Sequence, residues 1–340
     1  MTHMMRHSNS RRRFRGVTLM EMLVLLGIFI ILLSIFIPYV QSIWEQSRRH
    51  SCENNLRQIR DAMQVYAREN DGIFPRVRYD AENSPAGYTA FTGADAGNPN
   101  YPDAAVQPND VSASLFLLVK RGYISNLSLF VCPSSSAVAD TLTDAQGRIV
   151  AASQRGNFRS RENLSYSYAS PFSSAPGYPL KSDRVPWDFA LLADLNPGEA
   201  AASQPYDAPL NVLSQANSPN HGKAGQNVLY GYGEVVFQRS PYSNFKDHAP
   251  GDNIYTARGK AITTQPSSFP AAIIGLVGTK VSPSASDDSY LVPAATDVFA
   301  AAPPPRPRPA TTRAATAPAT TLQATTTNTT APATIPTTAP

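Results

Sequence analysis

The chain of 340 residues is long enough to form one or two domains with a full hydrophobic core, and it carries 29 lysines and arginines against 25 acidic residues. The positive excess belongs to the two ends, because residues 1–16 hold five arginines, residues 301–340 hold three, and neither range holds an acid. Residues 17–300 carry 21 basic against 25 acidic side chains. We therefore expect no nucleic-acid partner.

A basic segment followed by a long apolar segment begins the chain. Residues 17–37 are 21 residues with one ionisable side chain, Glu21. A helix of that length is about 31 Å long, enough to cross the hydrocarbon core of a bilayer. The arginines before Gly16 predict that this end stays in the cytoplasm and that the chain after Tyr39 lies outside the membrane.

Two simpler interpretations of the apolar segment fit less well. A cleaved secretory signal has a shorter apolar region and an alanine-containing exit site, whereas no alanine occurs between Val17 and Gln41. A plain signal anchor fits the length but does not explain Glu21. Because a carboxylate at the centre of a bilayer costs about 2.5–3.5 kcal/mol, Glu21 is a candidate functional residue.

The residues around Gly16 resemble the N-terminus of type IV prepilins and type II secretion pseudopilins. That family has a short basic leader ending in glycine, a cleavage point, an apolar helix, and a glutamate at the fifth position after the cut. Gly16, Val17 and Glu21 occupy those positions, and Pro38 lies where many pilins have a helix-bending proline. The resemblance implies cleavage between Gly16 and Val17 by a prepilin peptidase, methylation of the new amine, and assembly with other pilin or pseudopilin subunits through Glu21 and the N-terminal helix.

The sequence divides into five segments. They are a leader (1–16), a transmembrane helix (17–39), an amphipathic continuation of that helix (40–72), a periplasmic globular domain (73–300) and a tail (301–340). In the amphipathic segment the apolar residues at helical spacing are Leu56, Ile59, Met63 and Tyr66, which predicts a face packed on a core. Gly72 is suited to a left-handed helix cap. In the tail, Thr, Ala and Pro supply 33 of 40 residues, so we expect it to be disordered.

The globular domain is predicted to combine a short helix with antiparallel strands. A loop covers Pro75–Pro108, and a capped helix covers Ser112–Gly122. Strands are predicted at Leu164–Tyr168, at Phe189–Ala193, in a hairpin over Asn227–Phe237, at Ile254-Tyr255 and at Ala271–Val277. A long N-terminal helix lying on an antiparallel sheet gives an α+β fold, and the resemblance implies that this fold is pilin-like.

The two cysteines, Cys52 and Cys132, leave two alternatives open. In an oxidising periplasm they form one disulfide, worth about 4 kcal/mol for so long a loop, or they remain two separate buried thiols. Among the histidines, His50 is predicted to be solvated, while His221 and His248 are placed in loops without a second ligand at metal-site spacing. We therefore predict no metal site that involves these side chains.

The sequence contains none of the common catalytic motifs. A Gly-x-Ser-x-Gly elbow, a phosphate-binding Gly-x-x-x-x-Gly-Lys loop and a Cys-x-x-Cys pair are all missing, so we do not expect an enzyme or a bound cofactor. The aspartates Asp194, Asp252, Asp287 and Asp288 could bind calcium, as C-terminal loops do in some major pseudopilins. Because no calcium-loop motif surrounds them, turn-forming or solvated aspartates are the simpler interpretation.

Further segments extend the resemblance to a pseudopilin-like bacterial subfamily with large C-terminal domains. They include Cys52-Glu-Asn-Asn-Leu-Arg-Gln-Ile, Phe130-Val-Cys-Pro-Ser and Ser218-Pro-Asn-His-Gly. The resemblance implies a structural prepilin-like subunit of a type II secretion pseudopilus or a type IV pilus-like filament, anchored in the bacterial inner membrane before assembly. The alternative is a membrane-anchored periplasmic binding module that never polymerises.

Overall fold

The computed structural model describes residues 17–80, 87–91, 106–144, 146–178, 181–202, 208–243, 252–257, 280–283 and 285–295. The chain divides into two units, residues 1–302 and 303–340, and the second lies wholly outside the described residues. The predictions for the leader with Gly16, for the strand at Ala271–Val277, for His248 and for the tail also lie outside them.

The first element is one continuous helix, α1, which spans Leu19–Glu69 and has 51 residues. Thr18 caps its start, and Pro38 lies inside it. The helix ends as predicted, because Asp71 and Gly72 take left-handed φ angles of 53° and 78° and the Gly72 amide donates to the Ala67 carbonyl oxygen at 2.8 Å. The predicted long helix is thus confirmed, and the bend at Pro38 stays a prediction.

The two halves of α1 have opposite surroundings. In the first half, apolar side chains from Leu19 to Trp44 are exposed around the helix. In the second half, the buried residues are Cys52, Leu56, Ile59, Ala62, Met63, Tyr66 and Ala67. This set contains the whole predicted apolar stripe, which is therefore confirmed as a packed face. Among the described residues, α1 is also the helix that is long and apolar enough to cross a membrane.

One antiparallel sheet forms the centre of the globular part among the described residues. Its strands are β1 (Tyr166–Ala169), β2 (Ala190–Asp194), β3 (Gln226–Tyr230), β4 (Val235–Gln238) and β5 (Leu291–Val292). They are arranged in the order β4-β3-β2-β1-β5, and every neighbouring pair is antiparallel. The predicted α+β class is thus confirmed, as are the predicted strands near β1 and β2 and the hairpin β3–β4.

Strands β1, β2, β3 and β5 are buried on both faces of the sheet, whereas the edge strand β4 is partly exposed. Every residue of β1, β2 and β3 is buried, and α1 contacts β3 and β4. A second helix, α2 (Val111–Lys120), contacts both α1 and β1. It begins one residue before the predicted Ser112, because the Asp110 carboxylate caps it by accepting a hydrogen bond from the Ala113 amide at 2.8 Å.

The remaining elements are short and connect these layers. They are α3 (Glu199–Ala202), α4 (Leu210–Leu213) and the 3₁₀ turns Leu127–Phe130, Ala152–Gln154, Arg161–Asn163, Ser214–Ala216 and Asn220–Lys223. The predicted strand at Ile254-Tyr255 is wrong, since these residues lie in a turn beside an isolated bridge at Asn253. Both side chains are fully buried, so their apolar character reflects core packing and not strand pairing.

Candidate functional site

The predicted processing and assembly residues lie at the start of α1. Val17 is exposed, while Gly16 is outside the described residues. The Glu21 carboxylate accepts hydrogen bonds from the Thr18 amide at 3.0 Å and from the Thr18 hydroxyl at 3.1 Å. The Glu21 amide in turn donates to the Thr18 hydroxyl oxygen at 3.2 Å. Glu21 therefore closes a capping box at the N-terminus of α1, a role that the sequence analysis did not include.

A second candidate site lies inside the globular part, where α1 meets the sheet. Four buried side chains there each place one possible metal-ligand atom within 4.8 Å of all the others. They are Cys52, Cys132, Asp194 and His221, and together they are called the thiol cluster below. Among the residues that the structure describes, this is the group of His, Cys, Asp and Glu side chains close enough to share an ion.

Four separate elements of the fold supply the thiol cluster. Cys52 lies on the buried face of α1, and Asp194 is the last residue of β2. Cys132 follows the 3₁₀ turn Leu127–Phe130, and His221 lies in the turn Asn220–Lys223 that precedes β3. The cluster thus exists only when α1, the sheet and two connecting segments are packed together.

The carboxylate of Asp194 lies at the centre of the cluster. Its Oδ1 accepts a hydrogen bond from the Cys52 thiol at 3.1 Å, and its Oδ2 is 3.4 Å from Nε2 of His221. The same Nε2 lies 3.4 Å from the sulfur of Cys132. The side chains therefore form a chain of contacts from one thiol through the carboxylate and the imidazole to the other thiol.

Amide groups fix the orientation of Asp194. Asn220 donates from Nδ2 to Oδ1 at 2.9 Å, and the backbone amide of Asn227 donates to Oδ2 at 2.7 Å. Burial disfavours the ionised carboxylate, but the bond to His221, the positive charge of that imidazole and these amide bonds outweigh it and lower the pKa of Asp194. A buried carboxylate with this set of donors is held ionised in one position.

A second carboxylate orients His221 from outside the cluster. Nδ1 of His221 lies 2.6 Å from Oε1 of Glu45, and because a carboxylate only accepts, Nδ1 carries the proton. Glu45 is itself held by the Ser134 hydroxyl, which donates to Oε2 at 2.8 Å. Burial opposes protonation of the imidazole, yet the bonds to Asp194 and Cys132 raise the pKa of His221 to about 10.

The two thiols have opposite tendencies to ionise. The polar contact with Cys52, helped by the hydrogen bond and positive charge of His221, lowers the pKa of Cys132 despite its burial. Burial raises the pKa of Cys52 well above the ordinary thiol value, and the hydrogen bond with Cys132 and the charge of Asp194 add to this effect. Of the two thiols, therefore, Cys132 ionises more readily than Cys52.

The structure answers several predictions about individual side chains. Cys52 and Cys132 are both free and buried, but they are not separate, because they share the thiol cluster. His50 is exposed as predicted and contacts Glu53. His221 lies in a connecting turn as predicted, but the expectation that it has no further ligands is corrected, since its ring is buried beside three of them.

The calcium hypothesis is not supported by the positions of the aspartates. Asp194 lies in the thiol cluster. Within the described part of the chain, the carboxylates of Asp252, Asp287 and Asp288 do not join it in a group close enough to hold one ion. Asp252 instead accepts a hydrogen bond from the Ser289 amide at 2.8 Å. This is the turn-stabilising role that the sequence suggested for such residues.

The thiol cluster is enclosed, which limits what it can do chemically. Both sulfurs are fully buried and His221 is 3% exposed, so a substrate has no route to the thiols within the described residues, whereas the four ligand atoms are close enough to one another to hold an ion. Compared with known proteins, the chain matches no family model, no curated protein and no solved structure.

Proposed function

We propose that the chain is a prepilin-like subunit, held in a bacterial inner membrane by the first half of α1 and then assembled into a type II secretion pseudopilus or a type IV pilus-like filament. The N-terminus would be cytoplasmic, and the part that follows α1 periplasmic. The observation that carries this proposal is the division of α1 into an exposed apolar half and a half packed on the sheet.

The exposed half of α1 needs an apolar environment. A helix that is apolar all round lies either in a membrane or inside a protein bundle, and Leu19–Trp44 is exposed in the chain by itself. Lipid supplies that environment before assembly, and neighbouring copies of the same helix supply it in a filament. The rigid connection through α1 to the globular part then places each domain at the outside of such a bundle.

The first 21 residues resemble the N-terminus of prepilins, and this resemblance supports a cleavage step before assembly. Cleavage after Gly16 would place a new ammonium group at Val17, about one helical turn before Glu21. An isolated carboxylate within the membrane is unfavourable, so Glu21 would be stabilised by the ammonium group of a neighbouring subunit. Pairing of this kind favours one stagger between subunits and so sets the register of the filament.

Mass spectrometry of the mature N-terminus tests the processing step. In a host with a prepilin peptidase we expect the wild-type protein to begin at a methylated Val17, and the variant Gly16→Asp to remain a full-length membrane precursor. A matched control is Gly27→Ala, because a Cβ at Gly27 meets no atom within 4 Å, and it should be processed normally. A wild-type protein that still begins at Met1, or that begins beyond Ile37, contradicts the proposal.

Crosslinking in membranes separates the filament subunit from an anchored binding module. A subunit should give a ladder of multimers after cleavage, and Gly16→Asp should abolish the ladder. A processed protein that stays monomeric at native abundance would instead favour the binding module.

A further inference from the structure

The thiol cluster has the donor atoms of a zinc site. It offers two sulfurs, one imidazole nitrogen and a carboxylate oxygen, and structural zinc sites are commonly built from four donors of these kinds. We propose that the thiol cluster binds one Zn²⁺ ion, which fastens the second half of α1 to the sheet. The filament role proposed above needs no metal, so this proposal stands or fails independently of it.

The distances within the cluster suit a tetrahedral ion. Zinc–sulfur bonds of 2.3 Å and zinc–nitrogen or zinc–oxygen bonds of 2.0–2.1 Å give separations between ligands of about 3.3–3.8 Å. In the cluster, Sγ of Cys52 lies 3.1 Å from Oδ1 of Asp194, and Nε2 of His221 lies 3.4 Å from Oδ2 of Asp194 and 3.4 Å from Sγ of Cys132. The remaining pairs of ligand atoms lie within 4.8 Å of each other, so binding of one ion requires changes of no more than about 1 Å in any separation.

The donor atoms of the cluster favour zinc over calcium, the ion that the aspartates suggested in the sequence. Calcium takes six to eight oxygen ligands, whereas this cluster offers two sulfurs and a nitrogen beside a single carboxylate. Thiolate and imidazole ligands in tetrahedral arrangement favour zinc. A divalent cation would also offset two of the three negative charges that two thiolates and Asp194 bring into a buried space.

The groups around the cluster orient the ligands as the outer partners of metal sites do. Histidines that bind a metal usually donate their other ring N–H to a carboxylate, and His221 donates from Nδ1 to Glu45. This bond fixes the ring so that Nε2 faces the sulfur of Cys132 and the carboxylate of Asp194, and Nε2 would give up its proton when an ion binds. Asn220 and Asn227 hold the carboxylate of Asp194 in the same way.

The backbone at His221 carries strain that a bound ion would explain. His221 and Lys223 have φ angles of 54° and 63°, and Gly222 between them has 60°. Left-handed conformations are unfavourable for residues with a Cβ, and such strain persists where the surroundings hold it, often at functional sites. Here the strained turn is what brings the imidazole into contact with the cluster.

Two other states of the cluster account for fewer of these features. A disulfide between Cys52 and Cys132 would occupy the sulfurs but give no role to the aligned Nε2 of His221. In a metal-free network, every side chain of the cluster would have a hydrogen-bond partner. The cost of burying four ionisable groups would then be offset only by the hydrogen bonds among them. Both states are distinguishable from the zinc site by experiment.

Zinc binding would couple the attachment of α1 to folding. The ligands come from α1, from the end of β2 and from two connecting segments, so the site cannot exist in the unfolded chain. The binding free energy of the ion would therefore stabilise the packed arrangement directly. This would fix the membrane-embedded half of α1 relative to the globular part.

The first experiment measures the zinc content of the full chain. The protein is purified in detergent with a tag that contains no histidine, and zinc is determined by elemental mass spectrometry against protein from amino-acid analysis. We expect about one zinc per chain in the wild type, following the four-donor stoichiometry. The variants Cys132→Ser and His221→Gln should lose most of it, and the control His50→Gln, an exposed histidine on α1, should retain it.

The second experiment does not depend on variants that could fail to fold. Wild-type protein is stripped with a chelator and titrated with Co²⁺. A tetrahedral site with two thiolates should give a sulfur-to-cobalt charge-transfer band and strong visible absorption, which Zn²⁺ then abolishes. The partner variant Glu45→Gln should bind Zn²⁺ about 10–100-fold more weakly in competition with a chromophoric chelator, because only its outer hydrogen bond changes.

Three results would overturn the zinc site. They are a Cys52–Cys132 disulfide in peptide mapping of the untreated wild-type protein, a wild-type protein that takes up neither Zn²⁺ nor Co²⁺ while both thiols are reduced, and uptake that is unchanged in Cys132→Ser and His221→Gln. The last result would assign the metal to the surface of the protein.

Discussion

Glu45 of α1 and His221 of the turn before β3 are joined by a hydrogen bond of 2.6 Å between Oε1 and Nδ1. Glu45 lies seven residues before Cys52, which is two helical turns along nearly the same face. Along α1 from its N-terminus, Glu45 is therefore the first residue with a polar contact to the globular part. Toward the N-terminus from Glu45, no described residue of α1 is buried.

The Glu45–His221 bond should contribute to the stability of the globular part. Glu45→Ala removes the acceptor of both His221 and Ser134, and hydrogen bonds to charged groups contribute about 1.5–3 kcal/mol. We expect a fall in the Tm of the detergent-solubilised full chain of about 3–12 °C, at about 2–4 °C for each kcal/mol. The control Glu53→Ala loses only surface pairs with His50 and Arg57 and should shift the Tm by less than about 2 °C. Equal shifts in the two variants would show that the Glu45 bond has no special role.

A buried ion pair offers a second test of stability away from the thiol cluster. Arg155 is 2% exposed, and its Nη2 lies 3.1 Å from Oδ2 of Asp140. Asp140 also accepts hydrogen bonds from the amides of Arg159 at 2.7 Å and Leu142 at 2.8 Å. Asp140→Ala leaves the guanidinium buried without its counter-charge, which should cost about 3–5 kcal/mol.

Chemical unfolding followed by tryptophan fluorescence measures this cost. The matched control is Asp61→Ala, because Asp61 pairs with Arg60 at the surface and such pairs contribute at most about 1 kcal/mol. The double variant Asp140→Ala/Arg155→Met should recover part of the loss, since it removes the uncompensated charge. A double variant that is less stable than Asp140→Ala would indicate that Arg155 acts through packing and not through its charge.

The sequence predicted the regular elements because their patterns are local. Leu56, Ile59 and Met63 repeat at helical spacing, and their burial on α1 follows from that period alone. The strand β5 has only two residues, Leu291 and Val292, so no alternation could mark it. Its position is set by pairing with β1, which lies far away in the sequence.

The thiol cluster could not be predicted from spacing for the same physical reason. Metal-site motifs are recognisable when two ligands share one turn or one loop, whereas here each ligand comes from a different element. A weaker signal was present, because Cys52, Cys132 and His221 each lie in one of the segments that resemble the pseudopilin-like subfamily. Asp194 was marked as the acidic end of a predicted strand and as a possible calcium ligand, but nothing in its sequence surroundings linked it to the cysteines or to His221.

The hairpin turn between β3 and β4 packs closely against the backbone of the segment that precedes β2. A Cβ at Gly231 would lie 2.1 Å from the carbonyl oxygen of Pro186, and the Gly231 amide donates to the Phe189 carbonyl oxygen at 2.8 Å. Since backbone cannot move aside as a side chain can, Gly231→Ala should cost about 3 kcal/mol, the upper end of overpacking effects.

Denaturant titration of full-length Gly231→Ala in detergent checks this value. Gly147→Ala is the reference substitution, because a Cβ there meets no atom within 4 Å although its φ is 77°. It should cost about 1 kcal/mol from the left-handed conformation alone. If Gly231→Ala were no more destabilising than Gly147→Ala, the segment at Pro186 would have to be free to move.

The final prediction separates two roles of Glu21. Its carboxylate closes the capping box with Thr18, and we propose that it also pairs with the ammonium group of a neighbouring subunit. Glutamine retains the capping box but has no charge, whereas valine retains neither the capping box nor the charge.

If pairing sets the register of the filament, Glu21→Gln and Glu21→Val should both be cleaved after Gly16 and inserted into the membrane, and both should lose the crosslinked multimers. If Glu21 only caps the helix or extends to the cytoplasmic interface, Glu21→Gln should assemble as the wild type does. Crosslinking of the two variants in membranes, with quantified multimer ladders, decides between these roles. Normal ladders from Glu21→Gln would remove the charge of Glu21 from the assembly mechanism.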